Sequence, residues 1–360
     1  MMTIATQPPS RPAPMLRDDD HEQVVIRQDP ETGLRFIVAV HSTVLGPALG
    51  GMRVKRYPGG LREALADVMG LARTMTLKAS AAGLDLGGGK AVMIDDGHTE
   101  ARAERLALAA SVIDGLGGAY ITAEDIGTTT ADMDYMSRFT NFCVGRSVAD
   151  GGGGDPSPVT AESVFAAIGR GLAAHDGSDE LDGRRVGVIG LGKVGGALAT
   201  MLGDAGAHVV GCDIDAERCE SLCSDHAGIE VAPSAEAIMA MELDVLAPCA
   251  GGGLIDEAIA RSLQAHVVAG AANNPLTGRG VARTLMARGA LYVPDFLANC
   301  GGLIHVAREW SGERGPSEQG LIAGAMDSLD RAIEIAAVEG STPLEVAERQ
   351  ALARVEAARS

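Results

Sequence analysis

Three residues pose the chemical question: Lys78, Lys90 and Asp125. Each stands where a regular element begins or ends, the places where active-site groups of α/β folds gather. Two lysines twelve residues apart suit an anionic substrate if one binds a carboxylate and the other works as a base. A neighbouring ammonium helps keep the second lysine neutral, and enzymes bring lysine pKa values down to about 7–8 in this way. Solvated surface lysines are the plain alternative, and for Lys78 spacing alone leaves both readings open.

Lys90 ends the stretch GLDLGGGK at 83–90. A P-loop needs a glycine five positions before Gly89 and a Ser or Thr after the lysine. Here Leu84 and Ala91 occupy those positions, so the phosphate reading fails. A plain turn before a strand remains, as does a bare backbone that admits a small substrate and aims Lys90 at it.

A second motif is better placed. Gly190-Leu191-Gly192-Lys193-Val194-Gly195 follows the apolar run RRVGVI and opens a helical pattern. Gly190 suits a tight turn, Gly192 close approach of backbone to a pyrophosphate, and Gly195 close helix–strand packing. Asp213 follows Gly190 by 23 residues, at the end of the next apolar run. A carboxylate there accepts hydrogen bonds from ribose hydroxyls and repels a 2′-phosphate, which points to NAD rather than NADP.

The elements that must position these groups are legible in outline. Apolar residues at Leu61, Leu65, Val68, Ala72 and Met75 mark an amphipathic helix over 61–75, with Lys78 just beyond it. Strands are expected at 34–41, 90–94, 119–123, 184–190, 207–213, 243–247, 266–271 and 290–293, and helices at 100–115 and 194–204. LGPALGG at 45–51 reads as a glycine–proline junction, and Lys90 as the point where the glycine loop meets its strand. GGGGDPSPVT at 151–160 reads as a linker into a helix with Ser157 as N-cap and Pro158 at N1. The chain after 317 is helical in pattern. Strands alternating with helices predict a parallel, doubly wound sheet.

Composition narrows the function classes. A chain of 360 residues, 46% of them hydrophobic, has material for two domains. The formal net charge of −18 argues against nucleic acid and anionic membrane as partners. Six scattered cysteines form no C-x-x-C pair, so neither a zinc site nor a disulfide framework is expected, and a cytoplasmic protein with reduced thiols is. The first 20 residues carry four prolines and no signal-length apolar run, and read as a disordered tail.

The segments HSTVLGPALGGMR (41–53), MTLKASAAGLDLGGGKAV (75–92), YITAEDIGTTTADMD (120–134), GDPSPVTA (154–161), APCAGGG (247–253), AGAANNP (269–275) and VPDFLANCGGLIHV (293–306) resemble the Glu/Leu/Phe/Val dehydrogenases. HEQVVIRQDPETGLRFIVAVHSTVLGPALGG looks most like the valine members. The resemblance implies NAD-dependent, reversible oxidative deamination of an L-amino acid. It implies Lys78 as carboxylate anchor, Lys90 as general base and Asp125 as proton carrier. Gly50 and Gly51 would bring backbone to the substrate, and Asn273 would sit between substrate and nicotinamide ribose. Thr160 would hold the nicotinamide carboxamide, and Leu49, Ala123, Leu303 and Val306 would line the side-chain pocket. The triple glycine would clear room for substrate.

The implied fold is two α/β domains around a cleft in a homo-oligomer. A substrate-binding and oligomerisation domain would span 21–145, joined by helices at 331–360, and a Rossmann NAD domain would span 146–330. Asp155, Gly251 and Leu303 depart from the family pattern and bear on which amino acid is used. Valine or leucine is the leading substrate, phenylalanine the alternative, and glutamate disfavoured for want of a further lysine. A non-catalytic NAD-binding regulator is the rival from another class; retention of Lys90 and Asp125 speaks against it.

Overall fold

The structure, a computed structural model, describes residues 21–97, 101–226, 228–312 and 314–359. The tail expected over 1–20 lies outside the described residues. The first domain runs β1 (Gln23–Asp29), β2 (Leu34–Ser42), β3 (Ala48–Lys55), α1 (Gly60–Ala81), β4 (Gly87–Ile94), α2 (Arg102–Asp114), β5 (Tyr120–Glu124) and α3 (Thr130–Met136). The second begins with α4 (Ser157–Asp176), β6 (Arg185–Ile189), α5 (Lys193–Asp204), β7 (His208–Cys212), α6 (Ala216–Asp225) and β8 (Ile229–Val231). It continues with α7 (Ala235–Met239), β9 (Glu242–Pro248), α8 (Glu257–Ser262), β10 (Gln264–Val268), α9 (Arg279–Ala287) and β11 (Leu291–Tyr292). Four helices close the chain: α10 (Asp295–Ala298), α11 (Gly301–Ser311), α12 (Glu318–Glu339) and α13 (Pro343–Arg359).

The second sheet is wholly parallel, in the order β11-β10-β9-β6-β7-β8. This is the doubly wound dinucleotide-binding order, whose crevice lies at the carboxyl ends of β6 and β9, where strand order reverses. The first sheet is mixed, in the order β1-β2-β4-β3-β5; β1 and β2 run antiparallel to their neighbours, and β3 runs parallel to β4 and β5. One apolar layer lies between this sheet and α1, built from Ile37, Val68, Ala72 and Val92 among others. The other face packs on α2 and α3 through Phe36, Met52, Ile113 and Met133. The C-terminal helix returns to the first domain. Ser80 Oγ donates to Ala351 O at 2.7 Å, and Arg354 Nη1 donates to Leu84 O at 2.7 Å.

Four local expectations are corrected. α1 runs to Ala81, so Lys78 sits in its last turn rather than beyond it. The apolar period fades after Met75 because the buried side of that turn is polar: Thr76 bonds to His41, Ser80 to Ala351 and Lys78 to Asn273. The segment 45–51 is not only a junction, since Ala48 to Gly51 begin β3, held between β4 and β5. Pro156 takes the cap position of α4, which leaves Ser157 and Pro158 as its first two residues.

Nor do Gly87, Gly88 and Gly89 form a loop; they lie inside β4, fully buried. A Cβ at Gly87 would overlap Ser42 O, one at Gly88 the backbone N of Thr76, and one at Gly89 would come within 2.7 Å of the Tyr120 ring. At Gly88 the missing side chain lets α1 lie directly on the sheet. Gly88→Ala should therefore lower stability by about 1–3 kcal/mol or more through overpacking. Gly70→Ala, on the same helix with nothing within 4 Å, should instead raise it by about 0.5–1 kcal/mol. Thermal melts of both variants test this; equal shifts would mean that α1 does not rest on Gly88.

Candidate active site

Side chains two apart on a strand share a face. On β3 this puts Leu49, Gly51 and Arg53 on the α1 side, and parallel register aligns them with Gly88 and Val92 of β4 and with Ile121 and Ala123 of β5. Lys90 stands between Gly88 and Val92 on that face, and Asp125 directly follows β5. Lys90 and Asp125 are therefore separated by the width of β3. Gly51 stands between them, and a Cβ there would come within 2.8 Å of Asp125 Cβ. With no side chain in the way, Lys90 Nζ reaches Asp125 Oδ1 at 3.1 Å. Arg53 Nε donates to the other oxygen, Oδ2, at 2.8 Å.

Lys90 is 5% exposed and Lys78 7%. Burial pushes the Lys90 ammonium below the usual lysine range; Asp125 opposes the shift and Arg53 adds to it. Burial also pushes Lys78 down, against the attraction of Asp295 and with added repulsion from Lys90. Asp125 behaves oppositely. Burial alone would raise its pKa, but Lys90 and Arg53 outweigh it and hold the carboxyl down to about 2.

Lys78 points across the cleft to the second domain, where Nζ donates to Asn273 Oδ1 at 3.2 Å. Asn299 Nδ2 donates to the same oxygen at 3.0 Å and to Ala271 O at 2.9 Å. Asn274, next in the loop, holds a positive φ of 50°, and its N–H donates to Asp295 Oδ2 at 2.7 Å. A cleft of about 260 Å³ collects Lys78, Lys90, Asp125, Asn273, Gly50 and Gly51. Leu49, Ala123, Leu303 and Val306 supply apolar wall, and Thr160 and Val194 reach it from the second domain. The glycines of 87–89 do not line it, which overturns the expectation that they clear room for substrate; their space is taken by Ser42, Thr76 and Tyr120.

The rest of the dinucleotide motif sits apart from this cleft. Gly190 has φ 97°, and a Cβ there would come within 2.8 Å of the backbone N of Ala250, so the loops after β6 and β9 abut. Gly195 would overlap Gly190 O if it carried a side chain. Gly192, extended at the uncapped start of α5, has only Arg218 within 4 Å of its missing Cβ. Open space and free helix N–H groups at that point fit a pyrophosphate. Lys193 Nζ pairs with Asp155 Oδ2 at 3.1 Å. Asp213 accepts from Leu191 N at 2.7 Å through Oδ2 and from Asp215 N at 2.9 Å through Oδ1, so it ties the glycine loop to the end of β7. Burial would raise the Asp213 carboxyl, but these N–H groups and then Arg218 keep it below the usual carboxylate range.

Sequence reasoning assigned no role to Arg53, Asp295 or Asn299, although all three lie in segments that carry the resemblance. No local spacing marks them, because each acts on a partner distant in sequence. Among the described residues no group of three or more His, Cys, Asp and Glu could hold a metal ion, and no helix is long and apolar enough to cross a membrane.

Residues 21–142 match the Glu/Leu/Phe/Val dehydrogenase dimerisation domain, and residues 213–320 match the glutamate/leucine/phenylalanine/valine dehydrogenase domain. The chain is 46% identical to valine dehydrogenase of Streptomyces virginiae, over 81% of this chain and 82% of that one. It is 38% identical to leucine dehydrogenase of Bacillus subtilis, over 94% of this chain and 92% of that one. The crystal structure of L-tryptophan dehydrogenase from Nostoc punctiforme superposes with a TM-score of 0.80 at 33% identity, over 95% of this chain and 98% of that one. Two α/β domains, a cleft with two buried lysines beside a carboxylate, and these similarities converge: the chain belongs to the Glu/Leu/Phe/Val dehydrogenase family of amino-acid dehydrogenases.

Proposed function

We propose that the protein catalyses the reversible oxidative deamination of a branched-chain L-amino acid, valine or leucine, with NAD and water, to the 2-oxo acid, ammonia and NADH. The observation that carries this reading is the burial of two lysines in one cleft, one on Asn273 and the other on Asp125. Bound NAD would supply the hydride acceptor, held by Gly190, Gly192, Gly195 and the start of α5, with Asp213 towards the adenosine ribose. The Thr160 hydroxyl, which donates to Pro156 O at 2.9 Å, keeps lone pairs free to accept from a carboxamide.

Lys78 Nζ pairs with the substrate carboxylate, and Asn273 Oδ1 orients that ammonium. Backbone at Gly50 and Gly51 lies against the substrate. After oxidation at the α-carbon, Lys90 Nζ takes a proton from the water that adds to the imine carbon. The Lys90 ammonium so formed hands that proton to Asp125 Oδ1, 3.1 Å away, and Asp125 passes it to the departing nitrogen and returns to the carboxylate. The two titrate as a pair: when Lys90 gives up its proton, Asp125 loses a cationic partner and becomes a better proton acceptor.

The side-chain end of the cleft favours apolar substrates. Leu49, Ala123, Leu303 and Val306 offer no partner to a charge, and Arg53 is committed to Asp67 and Asp125. A second substrate carboxylate would be buried unpaired. The reading includes the expected domain division, 21–145 with 331–360 against 146–330. It also includes a homo-oligomer, in keeping with the family's dimerisation domain, and a cytoplasmic setting, since all six cysteines are unpaired.

Lys90→Ala and Asp125→Asn should each lower kcat by about 10²–10⁴-fold, the usual loss on removing an acid–base group. NADH binding, followed by fluorescence, should stay near the wild-type level. Turnover above a tenth of wild type in either variant excludes that residue from the proton path.

Leu303 narrows the pocket, so kcat/KM should be higher for valine and leucine than for phenylalanine, and lowest for glutamate. Leu303→Ala should shift preference towards larger side chains, with modest steps because one methylene is worth about 1–3 kcal/mol. A tenfold preference of the wild type for phenylalanine defeats the branched-chain assignment and leaves the dehydrogenase one standing.

Asp213 should favour NAD over NADP strongly, and Asp213→Ala should narrow the ratio while weakening both cofactors, because the glycine loop loses its tie to β7. Equal use of the two cofactors by the wild type would show that Asp213 does not face the ribose.

A further inference from the structure

Asp125 is gripped on both oxygens by different cations, and one of them leads away from the cleft. Arg53 is 8% exposed and lies two residues after Gly51 on the same face of β3. Its Nε donates to Asp125 Oδ2 at 2.8 Å, and its Nη1 reaches Asp67 Oδ2 at 3.3 Å. Asp67 is on α1, and the same oxygen accepts the Tyr57 hydroxyl at 2.6 Å. Neither Asp67 nor Tyr57 lines the cleft. A continuous polar chain therefore runs from Tyr57 through Asp67 and Arg53 to Asp125, and ends on Lys90.

A carboxylate paired only with an ammonium is free to turn about its own axis, because an ammonium is a point charge without directional preference. A guanidinium is planar and donates along fixed directions. Bound at Oδ2, it sets the plane of the carboxylate and leaves Oδ1 for Lys90. Arg53 has no such freedom itself, because Asp67 holds its other arm.

We propose that Arg53 is the positioning residue of Asp125, anchored by Asp67 and Tyr57, and that it keeps Oδ1 turned towards Lys90 and the reacting nitrogen. This rests on the proposed roles of Lys90 and Asp125. Arg53 acts through Asp125 and takes no part in proton transfer. It also acts by charge, since it repels a proton from Lys90 and stabilises the Asp125 carboxylate. The titratable and charged groups that interact with Asp125 are Lys90 on β4, Arg53 on β3, Lys78 on α1, Tyr120 on β5 and Tyr57 between β3 and α1, while Asp67 on α1 acts on Arg53 and Lys90. Removal of the Arg53 charge raises the pKa of both Lys90 and Asp125. Activity that needs a neutral Lys90 is lost as pH falls through its pKa, so the acid limb of the rate profile moves to higher pH.

The test uses the full-length enzyme with Arg53→Gln, Arg53→Lys, Asp67→Asn and Tyr57→Phe, with L-valine or L-leucine and NAD. Arg53→Gln should lower kcat by about 10- to 100-fold, the scale of a misplaced reacting group, change KM far less, and move the acid limb upward. Arg53→Lys keeps the charge and loses the planar donors, so kcat should fall while the limb stays in place. Asp67→Asn and Tyr57→Phe should lower kcat by a smaller factor with NADH binding unchanged. Wild-type kcat and an unmoved limb in Arg53→Gln overturn the proposal, as does a rise in KM alone. Should Arg53→Gln fail to fold by circular dichroism, wild-type kcat in both Asp67→Asn and Tyr57→Phe overturns it instead. Loss of activity in Asp125→Asn together with wild-type behaviour in Arg53→Gln sinks this inference and leaves the proposed function intact. A wild type that oxidises no L-amino acid with NAD removes both.

Discussion

A lysine on one strand and an aspartate at the end of a strand two places away can form an ion pair only across the strand between them. Neighbouring strands lie about 4.8 Å apart, so Lys90 and Asp125 must meet over a span of roughly twice that. Any side chain at Gly51 would stand in the path, and its Cβ would already crowd Asp125. The pair therefore depends on one missing side chain in β3. Arg53, one step further along the same face, turns the pair into a three-charge cluster.

Such a cluster is costly to bury unless every charge is matched. Lys90 and Arg53 share Asp125, and Arg53 shares Asp67. Burial is enforced by α1, which lies on the sheet at Gly88 and carries both Asp67 and Lys78. The glycines of β4 thus act one layer away from the chemistry. By letting the helix come down onto the strand, Gly88 helps to bury Lys90, and burial lowers its pKa. The same contact brings Lys78 to Asn273 of the other domain.

The parts legible in the sequence are those governed by local spacing. The motif from Gly190 to Gly195 with Asp213 announces a strand, turn and helix, and the structure forms them in the doubly wound order. Lys78, Lys90, Asp125 and Asn273, each singled out in the sequence, line one cleft. What escaped was set by contacts far along the chain. β3 has a glycine-rich start that reads as a turn, and it is a strand because β4 and β5 flank it. The end of α1 was hidden because its last buried turn is polar. Arg53 carried no local mark, since its partner Asp125 is 72 residues away. Asp213 was read only for a ribose, and the spacing gave no sign that its carboxylate pins the glycine loop through Leu191.

On the proposed reading, the two lysines are coupled through charge rather than contact. Both are driven towards neutrality by burial, and each disfavours a proton on the other. An amino acid that brings its carboxylate to Lys78 adds a direct counter-charge to the attraction of Asp295, which favours the Lys78 ammonium. The bound carboxylate offsets that ammonium as seen from Lys90, where Arg53 still presses against a proton. Asp125 and Asp67 favour the charged form of Lys90, and both are shared with Arg53. The two lysines thus divide anchoring from base work within one cleft, and the Lys90 proton is set by its own burial, by Arg53 and by Asp125 rather than by the ligand.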